Sequence, residues 1–191
     1  MKELFDNDTT WEIRSLILKN HASQLMSDIE RAKFFNLPNG CRMRENSKII
    51  SQENLKIGEN CYIGEGTILD ASGKLTIGSN VSIGFNTMIA THDSYLLNIM
   101  GKNKRENSNA IKRAPVSIGE NSFIGGLSLI MPGVKIGKQC IISPMSIVYD
   151  DLPDRTTFSP YKDMLDFKKN LSDKEKILDD LISKAKTIIQ K

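Results

Sequence analysis

The chain has 191 residues, 26 basic against 23 acidic side chains, and 24 isoleucines against only 12 aromatic residues. A net charge of +3 is too small to indicate nucleic acid. No apolar run approaches the ~20 residues of a spanning helix, and the polar opening MKELFDNDTT does not read as a secretory leader. The length suffices for one well-buried domain with appendages, and an aliphatic, ring-poor composition favours strands. Cys41, Cys61 and Cys140 form neither a metal spacing nor an even set, so a reduced, cytoplasmic setting is expected.

The first 40 residues read as helical. Thr9 with Glu12 makes a capping box ahead of WEIRSLIL. A second amphipathic stretch, roughly 22–35, ends before Leu37-Pro38-Asn39-Gly40. His21 falls within this helical part and carries no chemical context.

From residue 41 to 153 a six-residue period takes over. An aliphatic side chain stands at Ile57, Ile63 and Leu69, then after a two-residue slip at Ile77, Ile83 and Ile89. After an interruption the register returns at Ile118, Ile124, Ile130, Ile136, Ile142 and Val148. Glycine usually follows, the fourth position favours Asn or Gly, and the fifth is small or β-branched, as in Cys61, Val81, Ser128, Cys140 and Ser146. Asn and Gly tolerate positive φ and so mark corners. A large and a small side chain alternating inward suit short strands stacked coil on coil. The pattern predicts a mainly β, parallel β-solenoid of four to five coils. After residue 153, Ser172 with Glu175 caps an amphipathic helix through Ile188 and Ile189. Helices at both ends of a solenoid suit the covering of raw strand edges or contact between subunits.

The period fails after Ile89-Ala90-Thr91-His92-Asp93, and an insertion over 94–115 follows. It carries Lys102, Lys104, Arg105, Lys112 and Arg113 against the single acid Glu106. Such a loop reads equally as a solvated surface loop or as a lid whose charge meets an anionic ligand; on the second reading Lys112 and Arg113 contact substrate. His92 occupies an outward corner beside it. An imidazole there suits a general base, because it titrates near neutrality and can take a proton from an attacking hydroxyl.

The run IGSNVSIGFNTMIATHDSY, the insertion, and then APVSIGENSFIGGLSLIMPGVKIG resemble the hexapeptide-repeat acyltransferases. The similarity is to the branch that O-acetylates galactosides, maltose, xenobiotics and bacterial polysaccharides, and it covers about half the chain. The resemblance implies a left-handed parallel β-helix, acetyl-CoA as co-substrate, no metal, and a homotrimer with sites between subunits. It implies His92 as the general base and the backbone N–H of Gly126 as an oxyanion donor, with Asp93 a candidate for orienting His92. It places the pantetheine arm of CoA near Ser128 and Ser146, with Lys162 a candidate phosphate contact, and Asp70, Asn86 and Phe123 toward the acceptor sugar. The segment after Ser143-Pro144-Met145-Ser146 departs from the family's usual ending, and Asp150 stands where relatives carry a lysine that helps hold CoA.

The activity implied is acetyl-CoA-dependent O-acetylation of a sugar or surface-polysaccharide hydroxyl by direct transfer in a ternary complex. N-acetylation of an amino-sugar nucleotide and a non-catalytic scaffold are the competing readings. Two distant histidines argue against a zinc enzyme, and no G-x-G-x-x-G unit precedes the repeats.

Overall fold

The computed structural model describes residues 25–103 and 107–160. The capping box at Thr9, the helix at Ser172 and Lys162 lie outside the described residues. Within them the six-residue period becomes a parallel β-solenoid with three faces.

The first face joins β1 (Arg42–Met43), β4 (Tyr62–Ile63), β7 (Ser82–Ile83), β12 (Phe123–Ile124), β15 (Ile141–Ile142) and β17 (Thr157–Phe158). The second joins β2 (Lys48–Ile50), β5 (Ile68–Asp70), β8 (Met88–Ile89), β13 (Leu129–Ile130) and β16 (Ile147–Val148). The third joins β3 (Leu55–Ile57), β6 (Leu75–Ile77), β11 (Val116–Ile118) and β14 (Lys135–Ile136), and is continued by a parallel bridge from Ile136 to Leu152. The described residues therefore complete five coils and begin a sixth. The additional turn lies at both ends: β1 to β3 form a whole coil, and β17 extends the stack past residue 153.

The inward alternation holds along the solenoid. Of the twelve aliphatic register positions eleven are buried, and Ile57 is partly buried against the same core. The fifth-position residues Cys61, Thr67, Val81, Thr87, Ser122, Ser128, Val134, Cys140 and Ser146 are all buried. Their polar atoms do not go unpaired: the Ser122 hydroxyl donates to the Gly137 carbonyl at 3.0 Å and the Thr67 hydroxyl to Gly84 at 2.9 Å. Cys61 behaves as a small core residue, and burial pushes its thiol up to about 11.

Corners are made where the chain takes positive φ, as at Asn60, Asn80, Asn86 and Asn121. Leu127 and Met145 adopt the same left-handed conformation (φ 60° and 59°) with neither Asn nor Gly chemistry to ease it. The open first coil is covered by α1 (Asp28–Phe34), started by a Ser27–Glu30 capping box. Arg31 on this helix is fully buried and donates from Nη1 to the Met43 carbonyl at 2.8 Å, which satisfies a polar group beside β1.

Glycines between coils are needed for want of room. A Cβ on Gly119 would lie 2.5 Å from the backbone of Gly137 and Lys138. One on Gly101 would meet nothing within 4 Å, and there only the positive φ of 62° resists a side chain. Gly119→Ala is therefore expected to cost about 3 kcal/mol by forcing two coils apart, and Gly101→Ala about 1 kcal/mol from backbone conformation alone. Urea titration of the two variants should show that order; equal losses would contradict the packing argument.

Candidate active site

The corner after the second face is where the coil geometry gives way. In the second coil Asp70 ends β5 and the chain turns through Ala71, Ser72, Gly73 and Lys74 before β6. In the next coil the chain leaves β8, passes Ala90 and Thr91, and instead of turning onto the third face runs out as β9 (His92–Asp93). That strand pairs antiparallel with β10 (Lys112–Arg113), with Arg113 opposite His92 and Lys112 opposite Asp93. The insertion is thus a ribbon carrying α2 (Tyr95–Ile99), which is anchored by the buried Leu97.

Stacking the two corners assembles a polar cluster. The Asp70 side chain is fully buried, and its Oδ2 lies 2.7 Å from His92 Nδ1. The same oxygen accepts from the Thr91 amide at 2.8 Å and its hydroxyl at 3.2 Å, and Oδ1 accepts from the Ser72 amide at 3.0 Å. Ser72 Oγ also lies 3.0 Å from His92 Nδ1. The Gly73 amide donates to Thr91 Oγ1 at 2.7 Å, fixing the lower corner to the upper one. A Cβ on Gly73 would stand 2.2 Å from the Thr91 carbonyl, so this close approach requires glycine.

Charge follows from these contacts. Burial pushes the Asp70 carboxyl up, but donation from the Thr91 amide, from the Ser72 hydroxyl and amide and from His92 outweighs it and holds the group at about 2. Asp70 is therefore ionised at neutral pH and can only accept. Nδ1 of His92 must then carry the proton, which leaves Nε2 as the acceptor. Among the described residues Nε2 has no hydrogen-bond partner, and the His92 side chain is 40% exposed. A fixed tautomer with an open, basic nitrogen is the arrangement of a general base.

The expected site residues fare differently. His92 is exposed at the corner, as anticipated. The carboxylate that orients it is Asp70 and not Asp93, whose Oδ1 accepts from the Tyr95 amide at 2.9 Å and starts the turn into α2. Asp70 in turn is too deeply buried to meet an acceptor sugar. Ser128 and Ser146 are not on the outer face: both point into the core, and each hydroxyl donates to the Ser143 carbonyl. The fifth position of a repeat faces inward, and a hydroxyl there is bound to the adjoining corner. Gly126 lies at the corner between the first and second faces, buried against the Phe85 ring, whose Cδ1 and Cε1 would be 2.9 Å from an added Cβ. Asn86 is an exposed member of that same corner, and Phe123 is exposed on the first face between Ser82 and Ile141. One chain thus separates Gly126 and Asn86 from His92 by the width of the second face, roughly 20 Å at most for six extended residues, and Phe123 lies before that corner on the first face.

Ser72 and Thr91 are functional candidates that the motif reading missed. The signal was available: paired strands of neighbouring coils here are 20 residues apart, as in Tyr62↔Ser82, so Ser72 lies one coil from His92. Among the described residues no group of three His, Cys, Asp or Glu side chains could hold a metal, and no helix is long and apolar enough to cross a membrane.

Residues 115–150 match the family described as bacterial transferase hexapeptide (six repeats). A Saccharomyces cerevisiae protein whose name places it provisionally among the acetyltransferases is 50% identical over 40 residues, which is 21% of this chain and 20% of the relative. The chain therefore spans about one fifth of the length of the curated relative it matches. Among solved structures, the maltose O-acetyltransferase from Clostridium difficile 630 is 22% identical, with a TM-score of 0.59 over 80% of this chain and 84% of that one. A hexapeptide-repeat acetyltransferase from Vibrio cholerae complexed with acetyl coenzyme A is 24% identical, with a TM-score of 0.58 over 80% and 85%. Galactoside acetyltransferase in complex with coenzyme A is 23% identical, with a TM-score of 0.61 over 76% and 74%. At these identities the structures establish a shared fold. Residues 115–150 thus match the bacterial transferase hexapeptide repeats, in a chain whose described part shares its solenoid fold with these solved acetyltransferases.

Proposed function

We propose that the protein is an acetyl-CoA-dependent O-acetyltransferase acting on a sugar hydroxyl, with His92 as general base. The observation that carries this reading is the 2.7 Å contact between His92 Nδ1 and the ionised, buried Asp70, which leaves Nε2 free beside an open corner. The solved acetyltransferases of this fold support it, since two of them hold acetyl coenzyme A or coenzyme A.

Acetyl-CoA supplies an activated acyl carbon. His92 Nε2 accepts the proton of the acceptor hydroxyl as that oxygen bonds to the acyl carbon, and the imidazolium is stabilised by Asp70 through Nδ1–H. His92 then returns the proton to the departing sulfur. The residues toward the co-substrate fit in kind: Phe85, Leu127 and Met145 form an exposed apolar edge at the corner of Gly126, suited to a narrow, mostly apolar arm. The Gly126 N–H donates to the acyl oxygen.

Because one chain keeps His92 and Gly126 on opposite corners, the complete site joins the His92 corner of one copy to the Gly126 corner of another. A closed trimer brings such unlike corners together three times. Phe123 and Asn86 of the second copy then flank the acceptor.

His92→Ala should reduce acetyl transfer to a glycan acceptor by about 10²–10⁴-fold, and Asp70→Asn should lower kcat about 10²-fold with little change in KM; wild-type rates in either variant would sink the assignment. Mixed trimers give a sharper test. Refolding His92→Ala together with Gly126→Val should restore about a quarter of wild-type activity, because unlike subunits then share one intact site. The mixture of His92→Ala with Asp70→Asn should stay inactive, since both defects fall on one corner. Failure of the first mixture to regain activity contradicts the shared site.

Asp70 also sets an acid limit. A carboxyl lowered from 3.8 to about 2 on folding stabilises the native state above pH ~4 and loses that contribution as the pH falls toward 2, about 2 kcal/mol in all. Acid unfolding of Asp70→Asn should lack this component.

A further inference from the structure

Beside the proposed base stands a cation with no carboxylate of its own. The β9–β10 ladder places Arg113 directly opposite His92. Residues so paired project to one face with their Cβ atoms about 5 Å apart. Arg113 is exposed, and among the described residues its side chain makes one hydrogen bond, a long one from Nη1 to the Ser108 carbonyl at 3.4 Å. Among the described residues it makes no ion pair. The neighbouring Lys112 stands opposite Asp93 in the ladder, and Arg113 stands opposite His92, whose Nδ1 is taken by the buried Asp70 carboxylate. From Ser94 to Ala114 the sequence holds five cations and the single acid Glu106.

An exposed Arg paired in the ladder with His92, and in no ion pair among the described residues, presents a planar fork that matches a carboxylate or a phosphate better than it matches neutral hydroxyls. We propose that Arg113 is a specificity-determining residue and that the acceptor is an acidic sugar, bearing its anionic group on the same sugar residue as the hydroxyl that His92 deprotonates. The inference rests on the acetyl-transfer reading of this corner and adds to it the class of acceptor. The short reach from Arg113 to the imidazole sets the distance between anion and hydroxyl. The binding contribution is electrostatic, so it weakens with salt.

The test uses full-length protein, acetyl-CoA and three acceptors: a methyl hexuronide, a hexose phosphate and the neutral methyl hexoside. In wild type the kcat/KM for an anionic acceptor should exceed that for the neutral hexoside. Arg113→Gln should lower this ratio roughly ten- to hundredfold, mainly through KM, and Arg113→Lys should recover part of it. A preference for the hexuronide identifies the anion as a carboxylate, and one for the hexose phosphate identifies it as a phosphate. Equal use of neutral and anionic acceptors by wild type, or an equal loss on both in Arg113→Gln, overturns the proposal. Ligand-observed NMR without acetyl-CoA separates the two layers. Binding of the anionic sugars that is lost in Arg113→Gln, with no acetyl transferred to any acceptor, would refute the acetyl-transfer reading and leave the anion site standing. Absence of both binding and selectivity would refute the anion site.

Discussion

The stacking of one coil on the next governs this molecule. Each short strand finds its hydrogen-bond partners in the coils before and after it, and each inward side chain finds its packing partners there as well. A coil therefore cannot drift in register without unpairing a strand and turning an isoleucine outward. The narrow interior follows from that constraint: it admits an aliphatic branch and a small partner, and it draws the hydroxyls of Thr67, Ser122, Ser128 and Ser146 onto nearby carbonyls. It also explains why glycines recur where a Cβ would strike the backbone of the next coil.

The site exists because this constraint is relaxed at one corner. Early coils repeat every 20 residues, as in Arg42↔Tyr62 and Tyr62↔Ser82, and later ones every 18 and then 16, as in Phe123↔Ile141 and Ile141↔Thr157. The added length lies after the second face, at Ser51–Asn54 and again at Ala71–Lys74. It gives room for a charged residue at a position that is glycine in most of the repeats. Asp70 can be buried there because five donors meet it, so the desolvation that would otherwise neutralise it is overcome. One coil later the chain leaves the solenoid at the same corner, and the ribbon that results presents His92 to solvent above that carboxylate.

Much of this was legible in the residues. The inward positions, the corner asparagines, the buried thiols and the interruption after Asp93 all follow from a period of six. The outward placement of His92 follows from its position in the repeat. What was misread has a common cause. Ser128 and Ser146 sit at inward positions of that same period, and their hydroxyls hide in the core. Asp93, adjacent to His92 in sequence, points away because β9 alternates its side chains and the turn into α2 claims the carboxylate. The Ser27–Glu30 capping box was present in the sequence too, but a boundary set only by amphipathic spacing passed over it.

The sequence by itself determined the solenoid, because the alternation of large and small side chains every six residues has no other way to bury itself. It also determined which imidazole would stand exposed. The tertiary structure decided which carboxylate holds that imidazole, which cation faces it, and that the Gly126 corner lies across a full face from it. The two contacts join residues 22 and 21 positions apart, and the separation is between residues 34 positions apart. Such contacts depend on how far each corner bulges and where the insertion folds back, and a repeat pattern, which records only which side of a strand a residue faces, does not carry that geometry.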